Sequence, residues 1–408
     1  MSLKPVSIAL GCILVLYSSA ALAFHTWFAD NQAVEQLLCR YFYLCANARL
    51  VEWAQQHSWR GDPESIERAV SAYEELLRRD PASPFRWADL GDALIQAGDE
   101  ERARYCHDRA IALGPHSPPI LLRAAHFYYR INEQVAALQL LERILRITRE
   151  YDQLIFSLHN RMDTDTSDVL EFGMPRELEV VRSYFQYLLN RGEPTDLTQA
   201  WDWMSAISLT NDRLLSPYLD FLLRIKHYNA ALDTLAAYFR SRGERRQIEG
   251  NLLLNPGFEY EPLGTALDWV IRASNQFETT REPDVFQTGS WSLRIRFNGT
   301  ENVDYHHLTQ RVVVEPGRHH FRAQVRTDGV TTDQGVGFRI FAVDRTSSLN
   351  VETAPTVGTA DWTAVETTFT VPRQTRLLEI QAFRRQSRKF DSKIDGTVWI
   401  DDVSLVKR

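Results

Sequence analysis

The chain is predicted to carry two architectures in tandem: an all-α array of paired helices and, from residue 250, an all-β sandwich. Two periodicities predict this. Ala69, Ala103 and Ala137 recur at intervals of 34 residues, the length of one helix–turn–helix unit. Further on, Trp291, Leu293, Ile295 and Phe297 alternate with Ser292, Arg294 and Arg296, and Phe321, Ala323 and Val325 with Arg322, Gln324 and Arg326. A period of two puts one face of a strand in a core and the other in water. A third observation adds a leading element, an uncharged run from Pro5 to Ala29 behind Lys4.

In chain order, residues 1–28 read as a transmembrane helix or a signal segment. The run is long enough to cross a bilayer, which takes about 20 residues. It also contains Ala21-Leu-Ala23, an A-x-A-like cleavage site. Retained, it is a single-pass anchor in the inner membrane. The cation ahead of it then leaves the bulk of the chain periplasmic. Cleaved, it is a secretory signal. Residues 29–62 continue as a connecting helix. Four cysteines make no disulfide framework. Cys12 falls in the anchor, and Cys39 and Cys45 lie six apart on different faces of a helix, beyond bridging reach. Cys106 reads as a buried free thiol.

Residues 63–150 hold the repeats. The best unit runs from Pro84 to Pro115 and includes Trp87, Leu90-Gly91, Leu94, Gly98, Ala103 and Ala110. Gly91 and Ala103 are small enough to let two helices approach, and proline ends each unit because it cannot continue a helix. These residues resemble the tetratricopeptide pattern. Residues 151–245 stay helical but lose the strict period, with apolar spacings of three and four over 176–191, 196–209 and 211–242. The stretch 158–175, with Asp163, Asp165 and Asp168, reads as a loop. Gly243-Glu-Arg-Arg-Gln reads as a charged linker.

Residues 250–408 carry the strands, with turn signals at Glu315-Pro-Gly317, Thr327-Asp-Gly329, Val357-Gly358 and Asp395-Gly396. The module opens with Asn251-Leu-Leu-Leu-Asn-Pro-Gly-Phe-Glu259 and closes with Val398-Trp-Ile-Asp-Asp-Val-Ser-Leu405. Both ends resemble carbohydrate-binding-module jelly rolls of the galactose-binding type. That resemblance implies that the first and last strands lie together. It also implies that Glu259 and one of Asp401 or Asp402 are candidate ligands for a structural calcium, since hard carboxylate oxygens suit that ion. Neighbouring strand residues face opposite ways, so only one aspartate is expected to face inward. The alternative is a metal-free pair of solvated carboxylates.

The outward positions are rich in arginine: Arg294, Arg296, Arg322, Arg326 and Arg339. Guanidinium forks bind carboxylates in pairs of hydrogen bonds, so this face could hold an acidic polysaccharide. The bland reading is an ordinary solvated β-face. Trp269, Tyr305, Trp362 and Phe390 are the aromatics that could stack on sugars. His306-His307 and His319-His320 cannot each chelate one ion from a strand, and read as surface histidines.

A net charge of −7 excludes the basic footprint of a nucleic-acid binder. Residues 251–408 hold 19 Lys+Arg and 20 Asp+Glu, which leaves 27 and 33 of the chain's 46 and 53 for residues 1–250. The negative excess therefore sits in the helical half. Signature motifs of zinc peptidases, serine hydrolases and nucleotide-binding loops are missing. Taken whole, the chain resembles the tetratricopeptide-repeat proteins encoded with bacterial exopolysaccharide synthesis and export machinery. The stretches 289–297, 310–317 and 326–335 carry that likeness. It implies a non-catalytic, membrane-anchored scaffold, with a protein partner in the helical groove and a polysaccharide on the sandwich. A glycan-binding protein with helical spacers is the alternative, and an enzyme the remotest one.

Overall fold

The computed structural model describes residues 43–162, 164–246, 249–343 and 347–408. The expected anchor over 1–28, residues 29–42 of the connecting helix, and Cys12, Cys39 and Asp163 lie outside them. No helix among the described residues is long and apolar enough to cross a membrane. The chain forms two compact units. The first runs through Leu188 and takes in Pro194–Trp203; the second joins Leu189–Glu193 to Met204–Arg408.

The first unit is helical. Its order is α1 Tyr43–Arg60, α2 Pro63–Arg79, α3 Pro84–Gln96, α4 Glu100–Leu113, α5 Pro118–Arg130, α6 Gln134–Ile147, α7 Asp152–Arg161, α8 Thr166–Phe172, α9 Leu178–Arg191 and α10 Pro194–Ala206. Helices α3 and α4 repeat as α5 and α6 with every boundary displaced by 34 residues. Local chemistry fixes these boundaries. Pro63, Pro84 and Pro118 open helices at a position whose N–H would find no partner. Asp62, Ser83 and Asp99 accept the backbone N–H three residues on, capping α2, α3 and α4. Ala69, Ala103 and Ala137 are all fully buried. Gly91 is small for a visible reason: a Cβ there would stand 2.8 Å from the His107 ring on α4.

Two expectations need correction here. Helix α1 packs on α2, so residues 43–60 form half of a helix pair and are no mere connector. The expected loop over 158–175 is largely helical, because α7 ends at Arg161 and α8 fills 166–172. Helix α8 buries Val169 and Leu170. At seven residues it is too short to show a helical period among its acids.

The second unit begins with α11 Asp212–Arg224 and α12 Tyr228–Ser241. A turn at Lys226, in the left-handed region at φ 63°, breaks what the sequence presents as one helical stretch. Two antiparallel sheets follow. One has the order β2-β3-β10-β5-β8, with β2 Phe277–Glu282, β3 Ser292–Asn298, β5 Gly317–Val330, β8 Gly358–Val371 and β10 Asp395–Lys407. The other has the order β1-β4-β9-β6-β7, with β1 Val270–Ile271, β4 Tyr305–Val313, β6 Gly337–Ala342, β7 Asn350–Glu352 and β9 Leu377–Arg384. Their inner faces enclose one apolar core that includes Leu293, Ile295, Phe321, Phe338, Ile380, Val398 and Ile400. This is a β-sandwich.

The opening and closing motifs lock together. The Asn251 side chain accepts N–H from Leu253 and Leu405 and donates to the Val403 carbonyl, and the Val403 N–H donates to Pro256. Thr327-Asp-Gly329 is no turn. It is an irregularity inside β5, where the register on β8 shifts. There Gly396, at φ 116°, passes so close that a Cβ would meet the Gly329 backbone at 2.6 Å.

The charged linker is also corrected. Arg246 is buried and pairs with Asp268 at 2.9 Å and Glu244 at 2.7 Å, between the rings of Phe239 and Tyr260. Gln247 lies outside the described residues.

Candidate ligand-binding site

Trp399 follows from the alternation of β10. Val398 and Ile400 point into the core, so the residue between them points out. Strand β10 is central, and register places Arg294 of β3 on one side of Trp399 and Arg326 of β5 on the other. Thr280 of β2 extends the row beyond Arg294. The Arg326 guanidinium lies 5.7 Å from the Trp399 ring centroid. Arg294 is held by Glu282 at 2.9 Å and Glu278 at 3.6 Å. The row contains three buried polar atoms with no hydrogen-bond partner among the described residues: Thr280 Oγ1, Arg294 Nε and Trp399 Nε1. Such atoms are rare in folded proteins.

The other arginines divide. Arg296 is one row along, opposite Thr397, and Arg322 lies further down β5, opposite Ser404. Both are exposed and have no ion pair among the described residues. Arg339 is on the second sheet, where it donates to Asn350 and lies 5.0 Å from the Phe341 ring. Four of the five expected arginines thus share one solvent face and the fifth does not. Two expected stacking aromatics are corrected: Trp269 and Tyr305 are wholly buried in the core, and no sugar reaches them. His319 is also buried, against the surface reading, while His320 meets Glu366 at 3.3 Å. Trp399 escapes the sequence reading because it looks like part of a strand-end motif. The alternation alone would have found it.

The carboxylates Glu259 and Asp401 converge on the loop between β2 and β3. Asp401 is fully buried, and its Oδ2 accepts N–H from Gln287 at 2.7 Å and Thr288 at 2.9 Å. Glu259 Oε1 accepts N–H from Ser290 at 2.9 Å and Trp291 at 3.2 Å. Between the two lies a cradle left open by Gly257. A Cβ there would stand 3.3 Å from Asp401 Oδ1 and 3.6 Å from Glu259 Oε1. Burial raises the Asp401 pKa, and the N–H groups around it oppose that shift. Asp402 sits on a bulge at φ 47°, half-exposed, and gives its N–H to Asp401 Oδ1. One aspartate faces inward and the other does not. Two hard oxygens facing one cradle suit calcium better than a transition metal. No cluster of three acidic, histidine or cysteine side chains joins them among the described residues. Backbone carbonyls and water would have to complete the shell.

In the helical unit a cavity of about 380 Å³ opens between α5 and α7, lined by Leu122, Tyr129, Leu154, Leu158 and Met162. Its polar edge is Arg123, which donates to Asp92 and Asp89. Cys106 is buried, and burial pushes its thiol up to about 11.

No family model matches the chain. Over 164 residues it is 25% identical to the formate-dependent nitrite reductase complex bifunctional subunit NrfFG of Haemophilus influenzae. That match covers 35% of this chain and 41% of the relative, so the chain spans less than half the relative's length. Among solved structures it is similar to a family 61 carbohydrate-binding module in complex with β-1,4-galactotriose. The identity is 17% and the TM-score 0.27, over 39% of this chain and 99% of that one. It is also similar to a family 16 carbohydrate-binding module, at 16% identity and a TM-score of 0.28, over 38% of this chain and 100% of that one.

Proposed function

We propose that the chain is a non-catalytic scaffold in extracellular polysaccharide synthesis or export, and that its β-sandwich binds an acidic polysaccharide. The observation that carries this is the row Thr280–Arg294–Trp399–Arg326. An aromatic ring flanked by two guanidinium groups offers a stacking surface to a sugar and forks to its carboxylate. Arg296 and Arg322 extend the positive charge along the same face. The acids nearest the row, Glu278 and Glu282, are engaged by Arg294 and so are not a free acid–base pair.

Glu259 and Asp401 would hold a structural calcium, which would fix the loop over 287–291 at the edge of this face. The helical groove would take a protein partner, with Arg123 and the leucines around the 380 Å³ cavity as its contact. The anchor is proposed from the uncharged run Pro5–Ala29, and the periplasmic placement from Lys4 ahead of it.

The test is binding of the full chain to a uronate polysaccharide and to a neutral glucan, measured by calorimetry. The reading expects binding to the first and little to the second. It also expects Trp399→Ala to abolish that binding in a protein that still unfolds cooperatively. Equal binding to both glycans, or an unaltered affinity in Trp399→Ala, would remove the row from the proposal.

A further inference from the structure

The loop over 385–393 joins β9 to β10, and its base is unusually well fixed. Arg384 at its root is fully buried and has no ion pair among the described residues. Its guanidinium is instead surrounded by neutral oxygens. It donates to the carbonyls of Gln334 at 3.0 Å, Ser392 at 3.4 Å and Val303, and to Asn302 Oδ1 and Thr332 Oγ1. Asn302 accepts the Ser387 N–H and donates to the Ser387 carbonyl. Ser387 Oγ donates to Asp333 at 2.6 Å, and Arg385 forms a two-pronged pair with Glu352.

From this clamped base the tip projects Phe390, whose ring is fully exposed at 108%. Single exposed apolar residues are ordinary on protein surfaces. Phe390 differs in degree: the other large apolar side chains exposed in this unit stand at 44% or less. Its neighbours are exposed cations. Arg388 and Lys393 have no ion pair among the described residues, and Lys389 lies 3.7 Å from Asp333. Against Asp391 the tip is net positive on a chain of net charge −7.

We infer that this tip docks on an anionic lipid surface, with Phe390 inserted at the headgroup–acyl boundary and Arg388, Lys389 and Lys393 against the lipid charges. A single projecting ring with no wall beside it encloses little of a small ligand, which a binding pocket covers on most sides. A bilayer supplies apolar surroundings on every side of a projecting ring. Basic residues around the ring are drawn to acidic headgroups. The fixed base lowers the cost of ordering the backbone beneath the ring on docking.

The test places a p-benzoylphenylalanine photoprobe at position 390 of the full chain. The protein is irradiated with vesicles of equal parts phosphatidylglycerol and phosphatidylcholine, and with vesicles of phosphatidylcholine alone. Lipid adducts are expected on the anionic vesicles, several-fold fewer on the zwitterionic ones, and a comparable drop on adding Arg388→Ala, Lys389→Ala and Lys393→Ala together. Melting curves should not move, because all four side chains are exposed. Adduct yields no higher than with the probe at exposed Tyr105 would overturn the inference. So would adducts formed chiefly with protein or polysaccharide.

Discussion

Arg246 and Asp268 form a buried ion pair, 2.9 Å apart, in the stretch that leads into the sandwich. Asp268 also accepts the N–H groups of Leu263 and Trp269, so its carboxylate serves a cation and two backbone donors at once. Asp268→Ala would leave the two N–H groups without this acceptor and Arg246 with only Glu244 and the Glu261 carbonyl. Removing one partner of a buried pair costs about 3–5 kcal/mol. Urea unfolding of the full chain should show that loss. A joint replacement, Arg246→Met with Asp268→Leu, should recover part of it. A cost below about 1 kcal/mol for Asp268→Ala, the range of an exposed pair, would mean that the site is wet.

A second prediction concerns Glu259 and Asp401. Burial raises the Asp401 pKa, so without a metal the folded protein holds that proton more tightly than the unfolded chain does. The sign follows: that contribution to stability is present in acid and lost as pH rises through the folded-state pKa. A cation between the carboxylates reverses this by favouring the charged form. The melting temperature should therefore rise with calcium, by more at neutral pH than in acid, and fall back with chelator. Asp401→Asn should abolish the response, and Glu259→Gln should weaken it. Superimposable curves with and without calcium would leave the two carboxylates as acceptors for the loop N–H groups only.

Much of this arrangement is legible in the residues. Alternation places Leu293, Ile295, Val398 and Ile400 inside, and the 34-residue interval places Ala69, Ala103 and Ala137 between helices. Both signals are local and periodic. What escapes is set by tertiary context. Arg246 reads as part of a charged linker because its partner Asp268 lies 22 residues on. His319 reads as a surface residue by its type, although the alternation of β5 places it on the inward face with Phe321 and Ala323. Trp399 reads as a motif letter, and only the register of β3 and β5 gives it two arginine neighbours. The arginine face is half visible: alternation says which side chains point out, but which sheet Arg339 belongs to is a matter of topology.

The third prediction is a pH dependence in the helical unit. His159 is buried, both ring nitrogens lack a partner among the described residues, and burial lowers its pKa from 6.5 to about 4. The folded state therefore binds fewer protons than the unfolded state between those values. Stability rises with pH through that window and is lost as pH falls from 6.5 toward 4. The full effect is about 3 kcal/mol, since each tenfold change in acid strength is worth about 1.4 kcal/mol. His159→Leu should flatten the acid limb of the stability profile. An unchanged limb in that variant would assign the acid sensitivity to other groups.

The last prediction separates the arginines of the glycan face by how firmly each is held. Arg294 is fixed by two glutamates, whereas Arg322 has no ion pair among the described residues and Arg326 reaches Asp361 only at 3.9 Å. The two looser cations are free to turn to a ligand. Each exposed contact contributes little, about 0.2–1 kcal/mol, so affinity needs several together. Binding of an acidic polysaccharide should then weaken steeply with salt, as the Debye length contracts to about 3 Å at 1 M. Arg322→Ala with Arg326→Ala should lower affinity and flatten that salt dependence, with no change in melting temperature. Arg294→Ala should also destabilise the sheet, because Glu278 and Glu282 would be left without their shared cation on β2. Salt-insensitive binding that survives the double substitution would move the contact off the arginines and onto the Trp399 ring alone.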